Sequence, residues 1–382
     1  MPSARSLIPT VLLAGAFVAC HDATTSPGAA FQEKYTPQTR TYYIAAEPVD
    51  WNYMPSGYDS VFMRPLPSPW GDSLVYRKLR YTEYTGPDFQ TRAPQPEWLG
   101  LVGPLIRGVV GDTIKVVFRN LTDRPLSIHP HGVRYAPQDE GALYYPPRGG
   151  GDSVTAGGQY TYTWFAEPES GPHAGEPSSK VWLYHSHAVM TEEEMYRGLF
   201  GAIIITDPAH ARPDATPDDV QREFVTLWMV INENFEEPPD AETEERNLRH
   251  SINGYMFGNL HGLTMNTGDR VRWYLLALGT EVDLHTPHWH GEKVEVEGRT
   301  YTDVVELLPA SMKVGDMVAD NPGVWLLHCH VADHMMAGMF TTFTIGTPQP
   351  GASPSLSAQL RGAGADAGWF PFHDRTSPAH RH

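Results

Sequence analysis

The histidines of this chain are the residues whose spacing carries the most chemistry. Eighteen occur in 382 positions. Scattered at random they would make about one His-x-His pair. There are five, at His129/His131, His185/His187, His288/His290, His328/His330 and His380/His382. In an extended strand residues i and i+2 face the same side, so each pair sets two imidazoles abreast. Imidazole binds copper, zinc, iron and nickel, so the pairs by themselves say only metal. A single pair is as readily a surface strand that happens to hold two histidines. Four pairs recurring at matching places in the two halves are not.

Cys329 narrows the metal. Its thiolate should leave the sheet on the face opposite to its neighbours His328 and His330. His334 follows four residues after His330, Met339 five after that, and His285 stands three before His288. Together they make a His₂Cys set with a thioether available, the ligand chemistry of a blue-copper electron-transfer centre. The four recurring pairs add eight imidazoles, enough for three copper ions with positions left for oxygen. Cys329 shares a backbone segment with His328 and His330, so the single-ion centre is wired covalently to the cluster. Taking electrons singly at one place and spending them on a four-electron acceptor at another suggests reduction of dioxygen to water.

These residues must be positioned by strands. Short β-branched and aromatic runs alternate with Gly/Pro/Asp turns, as at Thr41–Ile44, Thr113–Arg119, Tyr160–Phe165 and Ala202–Thr206. A second series follows at Phe224–Ile231, Arg270–Ala277, Val294–Glu297 and Phe340–Ile345. No stretch keeps a helical period for long, so the class is all-β, built from sandwiches. Each half has Gly-Asp (Gly111-Asp112, Gly268-Asp269), then His-x-His-Gly (through Gly132 and Gly291), then Trp-Leu-x-His-x-His from Trp182 or Trp325. The unit is duplicated. We expect one domain over residues 39–207, a linker over 208–221, and a second domain over 222–346. A Gly/Pro/Ser-rich tail follows over 347–382.

Composition agrees. Hydrophobic residues are 41% and charged residues 19%, enough to fill a core, and the net charge of −17 with no basic cluster argues against nucleic-acid binding. Two cysteines, Cys20 and Cys329, exclude a disulfide framework and a cysteine-rich zinc site. The apolar run Leu7–Ala19 behind Arg5 is too short to span a bilayer and reads as a secretory signal over residues 1–20. Phe17-Val18-Ala19-Cys20 is similar to a lipoprotein cleavage site, which would make Cys20 a lipid anchor. Residues 21–38 are a polar linker. The expectation is an exported protein, periplasmic, membrane-anchored or extracellular.

The sequence resembles the multicopper oxidases, and among them the ceruloplasmin-like proteins and two-domain laccases. The similar stretches are Pro96–Gly100, Gly111–Asn120, Ser127–Tyr135, Gly141–Tyr144, Ser178–His187, Ile252–Gly268, Asp283–Gly291 and Val324–Met339. They cover most of residues 39–346. The resemblance implies two cupredoxin-like Greek-key β-sandwich domains. It implies a type 1 copper on His285, Cys329, His334 and Met339, and a type 2 copper on His129 and His288. It implies a type 3 pair on His131, His185, His187, His290, His328 and His330. Ser186 stands where Cys329 stands in the other half, so the first domain should lack a type 1 copper. Copper nitrite reductases carry theirs there. In relatives with two domains a homotrimer joins domain one of a chain to domain two of its neighbour, and closure as a C₃ ring is the expectation here.

The resemblance also singles out candidate acids. Glu140 or Asp139 would relay protons to the cluster, the alternative being an acidic loop. Tyr135 is similar to a tyrosine beside the cluster, or is a packed loop residue. Asp333, next to His334, and Glu233 would meet the reductant, by holding ferrous iron or accepting a phenol's hydrogen bond. For Glu233 the alternative is a surface charge. Met190, Glu192, Glu193, Glu194 and Met195 read as a solvated loop or short helix. The eight other histidines, His250 among them, receive no ligand role. The function expected is a copper oxidoreductase passing electrons from a phenolic, aromatic or metal-ion donor to dioxygen. The alternatives are an envelope copper-sequestering protein without turnover and a cupredoxin repeat whose copper sites have decayed.

Overall fold

The computed structural model describes Tyr35–Gly346. The signal, Cys20, the linker before Tyr35 and the tail, with His380 and His382, lie outside the described residues. Among the described residues no helix is long and apolar enough to cross a membrane.

The first half is built from β1 (Thr39–Asn52), β2 (Val75–Tyr84), β3 (Ile106–Val109), β4 (Thr113–Asn120) and β5 (His129–Pro130). It continues with β6 (Arg134–Tyr135), β7 (Gln159–Phe165), β8 (Ser179–His185), helix α1 (Thr191–Tyr196) and β9 (Phe200–Thr206). One sheet has the order β2-β1-β4-β7-β6 and the facing sheet β3-β9-β8-β5. Alternation sets the inner face. In β4, Ile114, Val116 and Phe118 are fully buried while Lys115 is exposed.

The second half repeats the plan with β10 (Arg222–Asn232), α2 (Ala241–Arg246), β11 (Leu248–Ile252), β12 (Thr264–Met265) and β13 (Arg270–Ala277). Then come β14 (Pro287–Trp289), β15 (Val294–Val296), β16 (Thr300–Thr302), β17 (Met312–Val318), β18 (Gly323–Cys329), α3 (Ala332–Met336) and β19 (Phe340–Ile345). Its sheets run β11-β10-β13-β17-β15-β16 and β12-β19-β18-β14. The order β3-β9-β8-β5 recurs as β12-β19-β18-β14, with the same parallel and antiparallel pairings. The expected runs Arg270–Ala277 and Phe340–Ile345 are strands end to end, whereas Thr41–Ile44 is a fragment of the much longer β1. Residues 207–221, between β9 and β10, hold no strand or helix.

β10 and β13 are apolar on both faces because both faces are covered. Phe224, Trp228, Val230, Trp273 and Leu275 fill the second sandwich. Val225, Leu227, Met229, Ile231, Tyr274 and Leu276 turn the other way and pack with Leu101, Leu183 and Phe200 of the first half. Polar pairs run along the same seam. The guanidinium of Arg272 is fully buried and donates to Asp316, Asp219, Ser178 and Ser179. Lys78 of β2 forms a buried ion pair with Glu233, just past β10.

The glycine that ends each His-x-His-Gly motif has a reason. Gly132 and Gly291 have φ of 68° and 72°, and a Cβ there would lie 1.9 Å and 2.8 Å from the indoles of Trp182 and Trp325. The tryptophan that opens each Trp-Leu-x-His-x-His motif thus packs flat on the backbone that leaves the first histidine pair, which fixes the two pairs side by side.

Candidate metal centres

Where β18 ends, its last residue Cys329 points into the core of the second sandwich and is fully buried. α3 brings back His334, and the residue just before β19 is Met339. Met339 N–H donates to the His334 carbonyl at 3.0 Å, and Cys329 N–H to the Met339 carbonyl at 3.0 Å. His285 enters from the loop before β14. Its Nδ1 lies 3.2 Å from Nδ1 of His334, and Cys329 Sγ lies 3.8 Å from that same nitrogen. The ligand atoms of His285, Cys329 and His334 lie within 4.8 Å of one another, and all three residues are buried. Burial resists ionisation of the thiol, but His285, His334 and the N–H groups of Thr286 and Val331 outweigh it and bring Cys329 down to about 6. A low-lying thiol beside two imidazoles and a buried thioether fits copper. Asp283, which sequence reasoning passed over, orients the set. Its carboxylate lies 3.2 Å from His285 Nε2 and accepts from the N–H groups of Val230 and Thr280.

The eight paired histidines form two separate sets, built alike. In the first, His129 Nδ1 is bonded to the Glu140 carbonyl at 2.7 Å, and Nε2 of His131 faces Nε2 of His185 at 3.1 Å. His129 lies 5.3 Å, 5.5 Å and 5.3 Å, ring to ring, from His131, His185 and His187. In the second, His288 Nδ1 is bonded to the Asp303 carbonyl at 2.8 Å, and His290 Nε2 faces His328 Nε2 at 3.1 Å. His288 is 4.8 Å, 5.2 Å and 5.5 Å from His290, His328 and His330. In both, a backbone carbonyl fixes one ring and leaves its Nε2 free to ligate. Burial keeps His131, His185 and His328 neutral, at about 4, 3 and 4, the form that binds metal. Unlike the mononuclear set, both sets include residues that reach the surface. Among the described residues no ring of one set is paired with a ring of the other.

The acids divide. Tyr135 lies against the first set, 6.1 Å from the ring of His129. Glu140 touches that set through its backbone, while its carboxylate accepts from Tyr144 Oη at 2.8 Å and Arg148 at 3.0 Å. Two expectations need correcting. Asp139 turns its carboxylate to Tyr160, at 3.2 Å, rather than to any histidine. Glu233 is neither a surface charge nor free to hold iron, since its buried carboxylate is taken by Lys78 and by Tyr53 Oη. The stretch around Met190 is a short helix, α1, but Glu194 within it is buried and not solvated.

Asp333 is exposed at the start of α3, directly before His334. Beside it the structure brings two residues that sequence reasoning left aside. His250 of β11 is buried 5.1 Å from the ring of His334, and its Nδ1 has no hydrogen-bond partner. Burial, then His334, His285 and Arg249, hold it down at about 3. Glu245 of α2 is raised by partial burial and by the charges of Glu244 and Asp333. No pair motif marks His250 or Glu245, and only the fold places them near His334.

Two family models, both described as multicopper oxidase, match residues 100–210 and 232–349. Rat hephaestin is 38% identical over 346 residues, human ceruloplasmin 36% over 341, and a human protein named Ferroxidase HEPHL1 33% over 342. Each alignment covers 80% of this chain but only 29–30% of the relative, so the chain spans about three-tenths of the length of these proteins. Among solved structures, a multicopper oxidase called mgLAC (TM-score 0.58, 20% identity) matches over 85% of this chain and 95% of that one. A copper nitrite reductase from Nitrosomonas europaea (0.57, 19%) matches over 83% and 96%. These likenesses show the all-β fold of two cupredoxin-like sandwiches.

Proposed function

Because the chain belongs to the multicopper oxidase family, we propose that it is a copper-dependent ferroxidase, taking electrons from ferrous iron and passing them to dioxygen. The observation that carries the choice of donor is the acidic surroundings of His334: the exposed carboxylate of Asp333 directly before it, and the carboxyl of Glu245, which feels the charge of Asp333. Paired carboxyl oxygens suit a divalent first-row cation better than a phenol. The name of a one-third-identical relative, Ferroxidase HEPHL1, points the same way.

His285, Cys329, His334 and Met339 would hold a type 1 copper. His129 and His288 would hold a type 2 ion, and His131, His185, His187, His290, His328 and His330 a type 3 pair, four coppers in all. When bound, copper supplies one-electron acceptance at the cysteine centre and four-electron reduction of dioxygen at the histidine sets. The chain's own residues do the rest. Asp333 and Glu245 draw ferrous iron toward His334, against whose ring His250 packs. Asp283 orients His285. The Glu140 carbonyl aims His129, and its carboxylate, sharing the proton of Tyr144 Oη, delivers protons beside the first set with Tyr135 alongside.

Three imidazoles of each set reach the surface, and Leu143, Val189 and Met190 are exposed apolar residues adjoining the first. Leu143 N–H is bonded to the His187 carbonyl. Such a rim suits a subunit interface. A homotrimer would join the first set of one chain to the second set of the next. The signal-like start and Cys20 support export, with lipidation of Cys20 as the anchor.

Copper-loaded protein should consume oxygen with ferrous iron. Asp333→Ala and Glu245→Ala should each raise KM for Fe(II) about tenfold with copper content unchanged, one lost carboxylate being worth roughly 1–2 kcal/mol. Phenol oxidation that outpaces Fe(II) and ignores both substitutions would make the protein a laccase. No oxygen uptake with any donor would leave copper sequestration.

A further inference from the structure

The first half has the same backbone corner as the mononuclear centre of the second, with other side chains in it. Leu126 exchanges two hydrogen bonds with Val154, at 3.0 and 2.8 Å, as His285 does with Leu307, at 2.9 and 2.8 Å. Ser186 N–H donates to the Leu199 carbonyl as Cys329 N–H does to that of Met339, and Leu199 N–H to the Glu194 carbonyl as Met339 N–H does to that of His334. The sequence keeps step, Glu194-Met195-x-x-Gly198-Leu199-Phe200 against His334-Met335-x-x-Gly338-Met339-Phe340. Leu126, Ser186, Glu194 and Leu199 therefore stand where His285, Cys329, His334 and Met339 stand in the other half.

Glu194 is only 3% exposed, and no lysine or arginine pairs with it among the described residues. Instead its Oε1 accepts the N–H groups of Val189 and Met190, both at 2.9 Å, and its Oε2 that of Ala188 at 3.1 Å. These are the three residues directly after His187. The first half has six residues between His187 and Glu194, where the second has three between His330 and His334, and the longer turn supplies the amides that the carboxylate gathers. The same turn is tied from its other end. Ser127 Oγ accepts His187 N–H at 3.0 Å and donates to the Gly141 carbonyl at 2.6 Å, and Thr191 Oγ1 lies 3.2 Å from His187 Nδ1.

We propose that Glu194 is a positioning residue for the first histidine set: its carboxylate organises the turn after His187 as a bound ion and its ligands organise the matching loop of the second half, so that His185 and His187 are set before any metal arrives. The inference rests on the reading of His185 and His187 as copper ligands.

The test uses the full-length, copper-reconstituted protein and its variants Glu194→Ala and Glu194→Gln, read by metal analysis, visible absorption and electron paramagnetic resonance. The intense colour of the Cys329 centre is an internal control for folding. Glu194→Ala should keep that colour and lose most of the remaining copper together with the type 2 signal. Glu194→Gln keeps one acceptor oxygen but faces an NH₂ toward backbone donors, and should fall between. Full copper and an unchanged type 2 signal in Glu194→Ala would overturn the proposal, as would loss of the colour in parallel. A wild-type protein that itself holds only the thiolate-bound copper would instead refute the underlying ligand assignment. Hydrogen exchange on the wild type needs no variant. Stripping copper should leave amides 187–190 protected while 329–334 exchange faster, and equal loosening of both turns would overturn the proposal.

Discussion

In the second half the loop from Cys329 to Met339 closes around a thiol and two imidazoles, buried and converging, and ends on buried Met339. In the first half the loop from Ser186 to Leu199 closes around one carboxylate and three amide hydrogens. In the four-stranded sheets the strand order and pairing direction are the same, as are the backbone bonds that anchor each loop. The difference lies in what fills one small volume. A cupredoxin-like sandwich therefore does not need a metal to close that corner. The paired histidines, by contrast, are alike in both halves down to the carbonyl that fixes His129 or His288. The part that has diverged is the corner held by Cys329 and His334 in one half and by Glu194 in the other.

The comparison can be broken most severely at Cys329. Cys329→Ser gives the second half the side chain found at Ser186. It should abolish the visible colour and lower oxidase turnover by at least about 10³-fold, with the fold intact by circular dichroism. Retained turnover would mean that electrons enter elsewhere. Next come the glycines under the tryptophans. Gly132→Ala and Gly291→Ala should each destabilise by about 1–3 kcal/mol in denaturant melts. The first should cost more, because its Cβ would lie 1.9 Å from the indole rather than 2.8 Å; equal costs would show that the halves give way alike.

A smaller effect is expected at the seam. Partial burial would raise Asp219, but Ser178 and Arg272 hold it below its ordinary value. Its stabilisation is then present above the unfolded carboxylate value of about 4 and lost as pH falls through the folded one. Asp219→Asn should flatten the acid limb of stability by under about 1 kcal/mol. A steeper acid limb in that variant would contradict the sign. The smallest change expected is from Ser186→Cys alone. With Leu126 and Glu194 beside it, a new thiol finds no imidazole, and no second visible band should appear.

Much of this was legible in the sequence for a physical reason. Strand periodicity and turn chemistry are local, and the His-x-His pairs report a spacing of two that one strand realises directly. Ligands that fold together through a short loop, such as Cys329, His334 and Met339, could be read in the same way. What could not be read is pairing across long separations. Glu233 meets Lys78 155 residues away, and charge type alone cannot tell a buried ion pair from a surface acid. His250 approaches His334 only because β11 packs beside α3. Glu194 is intermediate. Its echo with His334-Met335-x-x-Gly338-Met339-Phe340 is visible when the halves are aligned, but an acidic run in an acidic protein reads as surface charge rather than as register.

The ion pair between Lys78 and Glu233 has a last consequence. Its members belong to different halves and are both out of water, as are the apolar faces of β10 and β13 beside them. A gene severed at the linker would yield two fragments, each baring an oily sheet and a stranded charge. The two halves are thus interdependent: neither can leave the other without uncovering what its partner keeps dry.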